Sequence, residues 1–283
     1  MRLNVEQYRN WDHKRITLLG MSGVGKTYIS SMLRSHGWFH YSGDYRIGTR
    51  YLDEDIMDLI KEQAMKVPFL RELLKNDWIY IRNNIRVNDL GPVLSFVGKL
   101  GNPEQGGVPL DDFMKRQAQY RDAEIAAMHD VPEFIRKAQL IYGYSHFVND
   151  AGGSLCELEE PSVFETLAEH TLILYIKVTT KDEEQKLIER ARSDPKPLYY
   201  RPTFLRENMA VYLQEQALQF AAEMEPDEFT RWVFPRLFHS RIPRYEAIAR
   251  DYGYTVTSEE VAQVRNERDF NALVELAISR HQP

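Results

Sequence analysis

The sequence is poor in several things that would otherwise narrow its chemistry. It has one cysteine, Cys156, among 283 residues. That excludes an internal disulfide and leaves no companion thiol for a structural zinc site, and a reducing compartment is expected. Set among Ser154, Leu155 and Leu158, this thiol reads as a buried spectator rather than a catalytic nucleophile. No apolar run approaches the roughly 18 residues needed to cross a bilayer. Residues 1–15 are polar and charged where a signal peptide needs an apolar core, so a cytoplasmic protein without a membrane anchor is expected. An excess of positive charge is also missing. The 36 Lys and Arg are outnumbered by 42 Asp and Glu, for a net charge of −6. That argues against broad binding to nucleic acid or acidic membranes, while leaving a local basic patch or a small anionic ligand open. There is no internal repeat and no low-complexity tract. At 43% hydrophobic and 28% charged residues, the composition is that of a globular chain long enough to bury a sizeable core.

Against these absences one stretch stands out. Residues 20–27, Gly20-Met21-Ser22-Gly23-Val24-Gly25-Lys26-Thr27, fit the phosphate-binding pattern G-x-x-x-x-G-K-[ST]. The apolar residues 16–19 predict a strand leading in, and residues 28–33, beginning with Tyr28, predict a helix leading out. The glycines let backbone N–H groups turn inward to a β-phosphate at the positive end of the following helix. Gly20, Ser22, Gly23, Val24, Gly25 and Tyr28 are therefore candidate nucleotide contacts. Lys26 would neutralise phosphate charge, and the Thr27 hydroxyl would meet a magnesium ion bridging two phosphates.

The rest of the chain supplies candidates around this loop. Residues 38–41 predict a second strand, after which Asp44 follows at the carboxyl end, the edge where ligands bind in an open α/β sheet. Asp44 has Arg46 and Arg50 close by, and a surface ion pair weighs evenly against a substrate contact. Residues 52–75 read as helix broken at Pro68, with Ile56, Leu59, Ile60, Leu70, Leu73 and Leu74 as core positions. Residues 81–110 carry so many Gly and Pro breakers that a flexible, lid-like or substrate-facing loop is expected. Helices are predicted over 111–130 and 132–141. Residues 144–149 predict a strand ending at Asp150-Ala151-Gly152-Gly153. Asp150 is the candidate for ordering magnesium through water, and the Gly153 N–H for meeting a γ-phosphate, against a plain Asp-initiated turn. His146 and Asn149 read as core. Residues 171–178 form the clearest strand, and residues 182–192 the helix after it, with acids early and bases late. Arg190 and Arg192, close to Lys196 and Arg201, could neutralise charge in phosphoryl transfer, against an equal weight for simple dipole complementation. Further helices are expected over 207–224, 243–252 and 269–280, a packing element over 226–238, and a fifth strand over 254–257 with Ser258 capping the helix after it.

On the strength of residues 20–27, the strand ending near Asp44, the strand ending at Asp150–Gly153 and the arginines after Val178, the chain resembles the P-loop small-molecule and nucleotide kinases, the group of shikimate, gluconate and nucleoside-monophosphate kinases. The resemblance covers about half the chain, and only its first motif is highly specific. It implies an α/β fold of three layers with a five-stranded parallel sheet in the order 2-3-1-4-5, and a mostly helical insertion between strands 2 and 3. It also implies one kinase-like domain over 1–283, with 52–143 as substrate region and 181–206 as lid. Family members place an acid like Asp44 on the acceptor hydroxyl and lid arginines on the transferred phosphate. Arg190 and Arg192 lie on different helix faces, so one of them is expected to do this. The implied activity is transfer of the γ-phosphate of ATP, with Mg²⁺, to a small-molecule or nucleotide acceptor. ATP is favoured over GTP because no N-K-x-D signature follows the fourth strand. The alternatives are an ATPase switch or a nucleotide-sensing module coupled to a partner protein. Arg71, Arg82, Arg86, Lys115 and Arg116 leave a macromolecular acceptor open, though Asp77, Asp89, Asp111 and Asp112 offset them.

Overall fold

The computed structural model describes residues 1–281. Five strands carry the fold: β1 (Arg15–Leu19), β2 (Trp38–Ser42), β3 (His146–Asp150), β4 (Leu172–Lys177) and β5 (Gly253–Thr257). All neighbouring pairs are parallel, in the order β2-β3-β1-β4-β5. In β1 and β4 nearly every residue is buried, as a parallel sheet covered on both faces requires.

The helices follow in chain order. The first eight are α1 (Val5–Arg9), α2 (Lys26–Ser35), α3 (Gly43–Arg46), α4 (Asp53–Ala64), α5 (Pro68–Lys75), α6 (Gly91–Val97), α7 (Leu110–His129) and α8 (Val131–Leu140). The remaining six are α9 (Pro161–His170), α10 (Lys181–Ser193), α11 (Pro202–Glu215), α12 (Pro226–Tyr252), α13 (Ser258–Gln263) and α14 (Glu267–Ser279). Right-handed crossovers put helices on both sides of such a sheet, and the aromatic side chains of β2 show the two faces. The Trp38 ring meets Phe270 of α14 at 6.1 Å and its indole donates to Glu267 at 2.7 Å. The alternate residues Phe39 and Tyr41 meet Phe134 of α8 at 6.5 and 5.0 Å. This is a three-layer α/β/α arrangement with the sheet in the middle.

The chain divides into two compact units. The first, residues 1–43, 124–195 and 231 onward, holds the whole sheet. The second, residues 44–123 and 196–230, is helical. Its core includes Phe113, Tyr200, Phe204, Tyr212 and Phe229. Gln117 of α7 ties its two segments together, donating to the Leu198 carbonyl and accepting from the Tyr200 N–H.

Four expectations need correction. Residues 81–110 are not one irregular loop: Pro92 and Gly98 bound α6, and Val93, Phe96, Val97, Leu100 and Val108 are buried. A Pro in the first turn and a Gly past the last one are helix punctuation, not helix absence. The expected break within 226–252 is also missing, because α12 runs through Pro235 and Pro243. Each internal proline costs roughly 3 kcal/mol, and burial of Val233, Leu237, Phe238, Tyr245 and Ala249 offsets it. In α5 no residue is buried, so Leu70, Leu73 and Leu74 are not core; Leu59 and Ile60 of α4 are only half-buried. Finally, Thr257, not Ser258, caps α13, in a capping box with Glu260.

His146 is only half-buried, where a core position is expected, and it is a pH sensor of stability. Its ring packs at 4.8 Å on Trp38 and its Nδ1 accepts the Lys14 N–H. Burial, assisted by Lys14 and His13, pushes its pKa below the usual value. The unfolded chain therefore binds the proton more readily, and stability present above about pH 6.5 is lost as the pH falls towards the lower folded pKa. Thermal unfolding measured from pH 7.5 to 5 should show a falling melting temperature, and His146→Gln should flatten that slope; identical slopes would remove His146 as the cause.

Candidate functional site

The site is built where β1 and β3 end side by side. Leu18 pairs with Asp150 across the ladder, and Ser42 of β2 pairs with Asp150 from the other side. The loop leaving β1 turns tightly into α2, with Gly20, Gly23 and Gly25 all at positive φ, and Gly25 is the residue preceding the helix. Lys26, only 7% exposed, folds back so that its ammonium donates to the carbonyls of Gly20 at 2.7 Å and Met21 at 3.0 Å. This places a cation inside the loop.

Thr27, in the first turn of α2, donates its hydroxyl to Asp150 Oδ2 at 2.9 Å. A hydroxyl and a carboxylate side by side are hard oxygen donors of the kind that suit Mg²⁺, which keeps several waters and takes few protein ligands. Beyond Asp150 the chain turns back over the loop: a Cβ placed on Gly153 would come within 3.0 Å of the Ser22 nitrogen. Ser154 is held by Glu124 at 2.7 Å.

Arg190, near the end of α10, reaches across to the same loop and donates to the Ser22 carbonyl at 3.2 Å. Contact is so close that a Cβ on Gly23 would lie 2.1 Å from its Nη2; the arginine could give way, and it is the φ of +92° that favours glycine there. Arg192 is elsewhere. Two residues on, it is turned roughly 200° round the helix; its carbonyl accepts from Arg231 at 2.9 Å and its side chain is exposed. Beside Gly23 and Gly25 opens a cavity of about 620 Å³, floored by Val24, Val178, Leu187, Val261 and Ala262 and edged by Tyr28, Glu183, Ser258 and Arg190. Tyr28 is fixed there by donation to the Val264 carbonyl, and Ser258 by donation to Glu183 at 2.7 Å.

Asp44 occupies the short helix α3, two residues beyond the carboxyl end of β2, and is half-buried. Cys156 is buried, and burial pushes its thiol up to about 12, consistent with an inert group.

Sequence reasoning overlooked three groups around these loops. His40 lies under the site with its side chain 4% exposed and Nε2 3.8 Å from Asp150 Oδ2, too far for a hydrogen bond. Strand alternation could have found it, since His40 and Asp150 face the same side of the sheet. Glu157 and Arg241 form a buried ion pair, and Tyr245 reaches the Gly20 carbonyl; no local pattern signals either.

Five parallel strands in this order, with a glycine loop between β1 and α2, define a P-loop-type α/β fold. No protein-family model and no curated sequence matches the chain. Among solved structures, a shikimate kinase from Bacteroides thetaiotaomicron aligns over 94% of this chain and 95% of its own at 17% identity and a TM-score of 0.37. A shikimate kinase from Acinetobacter baumannii in complex with shikimate aligns over 98% and 99% at 13% identity and a TM-score of 0.41. Likenesses this distant assign neither a substrate nor a role to any residue.

Proposed function

We propose that this protein is an ATP-dependent phosphotransferase acting on a small-molecule or nucleotide acceptor. The observation that carries the reading is the glycine loop with an ammonium folded into it and a hydroxyl–carboxylate pair beside it. Loop amides and Lys26 would hold the β- and γ-phosphates. Thr27, and Asp150 through water, would hold Mg²⁺, which supplies charge neutralisation between phosphates when bound. The adjoining apolar cavity has the volume and lining for a nucleobase. Arg190, already at the Ser22 carbonyl, would swing onto phosphate oxygens as they gain charge. Asp44 would orient the acceptor hydroxyl. Such a site works by positioning and electrostatics, since phosphoryl transfer needs little covalent help.

ADP formation by purified protein with Mg²⁺-ATP, alone and with pools of metabolites and nucleotides, tests this. An acceptor-dependent rise is expected; steady hydrolysis without acceptor would mark an ATPase switch instead, and binding without turnover a sensing module. In the same assay Arg190→Ala should slow turnover by about 10²-fold or more, and Arg192→Ala by less than about twofold. Asp44→Asn should keep ATP binding and lose transfer. Equal effects at the two arginines would sink the assignment of Arg190.

A further inference from the structure

One helix touches both loops of the proposed nucleotide site from behind. Arg241 of α12 donates through Nη1 to the Gly153 carbonyl at 2.9 Å. One turn later on the same helix, the Tyr245 hydroxyl donates to the Gly20 carbonyl at 3.4 Å. Both side chains are buried. The Arg241 Nε lies 3.2 Å from Glu157 Oε1, with the two side chains 8% and 0% exposed. The Tyr245 ring is fully buried and stacks on Tyr175 of β4 at 5.2 Å and 11°. Burial holds the Tyr245 phenol well above its usual pKa, so it remains a neutral donor.

Burying an ion pair is costly and gives little net stability. What this pair does is fix a carbonyl, and the carbonyl belongs to the residue that packs against the Ser22 backbone, where an added Cβ would come within 3.0 Å of the Ser22 nitrogen. Resting on the phosphotransferase reading above, we propose that Arg241, held by Glu157, is a positioning residue that sets the Gly153 segment at the distance from the phosphate loop where a third phosphate is recognised. The loop amides and Lys26 would supply contacts common to ADP and ATP. The γ-phosphate contact would come from the Gly153 N–H, whose peptide neighbour Arg241 restrains. Loosening that restraint should therefore cost ATP more than ADP.

Titration calorimetry of Mg²⁺-ADP and of a Mg²⁺-bound non-hydrolysable ATP analogue tests this with Glu157→Leu/Arg241→Met and with Arg241→Lys. Removing both ions together leaves no orphaned charge, so the double variant is expected to fold; Arg241→Lys keeps the charge beside Glu157 but loses the fork that reaches both partners. The ratio of analogue to ADP affinity should fall roughly tenfold in both. A merely structural role would lower the melting temperature and leave the ratio unchanged, which would overturn the proposal. A third arm needs no variant: in the native protein, amide exchange in the peptide spanning 236–246 should slow more with the analogue than with ADP, and equal protection would count against the proposal. If the native protein binds neither nucleotide, the phosphotransferase reading itself fails, an outcome distinct from binding both with an unaltered ratio in the variants.

Discussion

Lys26→Ala lowers the rate of nucleotide turnover about 10²- to 10³-fold, the usual effect of deleting one preorganised charge from a transition state. The fold survives this change for a physical reason. The ammonium that is lost donates to two loop carbonyls, Gly20 and Met21, and water can replace it in a loop that opens to solvent at Ser22 and Gly23. Melting temperature and circular dichroism should therefore stay near the native values while turnover collapses. Retained turnover in a well-folded variant would remove the loop from the chemistry altogether.

Gly20→Ala has the largest expected effect on stability. Gly20 is the hinge between β1 and the loop, at φ +143°, a backbone conformation that side chains rarely adopt. An added Cβ would also sit 2.8 Å from the Ile176 carbonyl oxygen of β4 and 3.0 Å from Val24 Cγ2. Strain at such a position and overpacking each cost about 1–3 kcal/mol, so a loss of about 2–6 kcal/mol is expected, read as a lower urea midpoint with an unchanged slope. The Gly20 carbonyl also accepts from Lys26 and Tyr245. Nucleotide affinity should drop in the same variant, because the displaced strand end carries the loop with it. A midpoint within error of the native protein would show that β1 and β4 give way at no cost.

What could be read in the sequence was whatever is encoded locally. The run Ile16–Leu19, the glycine loop and the helix after it are contiguous and carry their own geometry, and β3 announces itself by Phe147 and Val148 before an acid, Asp150, that is followed by glycines. The order of the strands followed from resemblance rather than from the residues, since nothing in a strand names its neighbour. Elements whose fate is decided by what lies against them were the ones misread. Leu70, Leu73 and Leu74 have the spacing of a buried stripe, but periodicity marks an apolar face without saying that anything covers it. Pro235 and Pro243 punctuate the sequence, yet α12 continues because its buried side chains outweigh two lost hydrogen bonds. The pairing of Glu157 with Arg241, 84 positions apart, and the approach of His40 to Asp150 exist only once the sheet has assembled.

The inert thiol has a practical consequence. Because Cys156 is buried and shifted to about 12, maleimide reagents will pass over it in the native protein, and it need not be replaced before labelling. Cysteines introduced at exposed positions such as Lys66→Cys and Lys181→Cys, one in each compact unit, would be the sole reactive sites. A donor and an acceptor dye on that pair would report, molecule by molecule, whether nucleotide changes the separation of the two units, in a chain whose own chemistry leaves the measurement undisturbed.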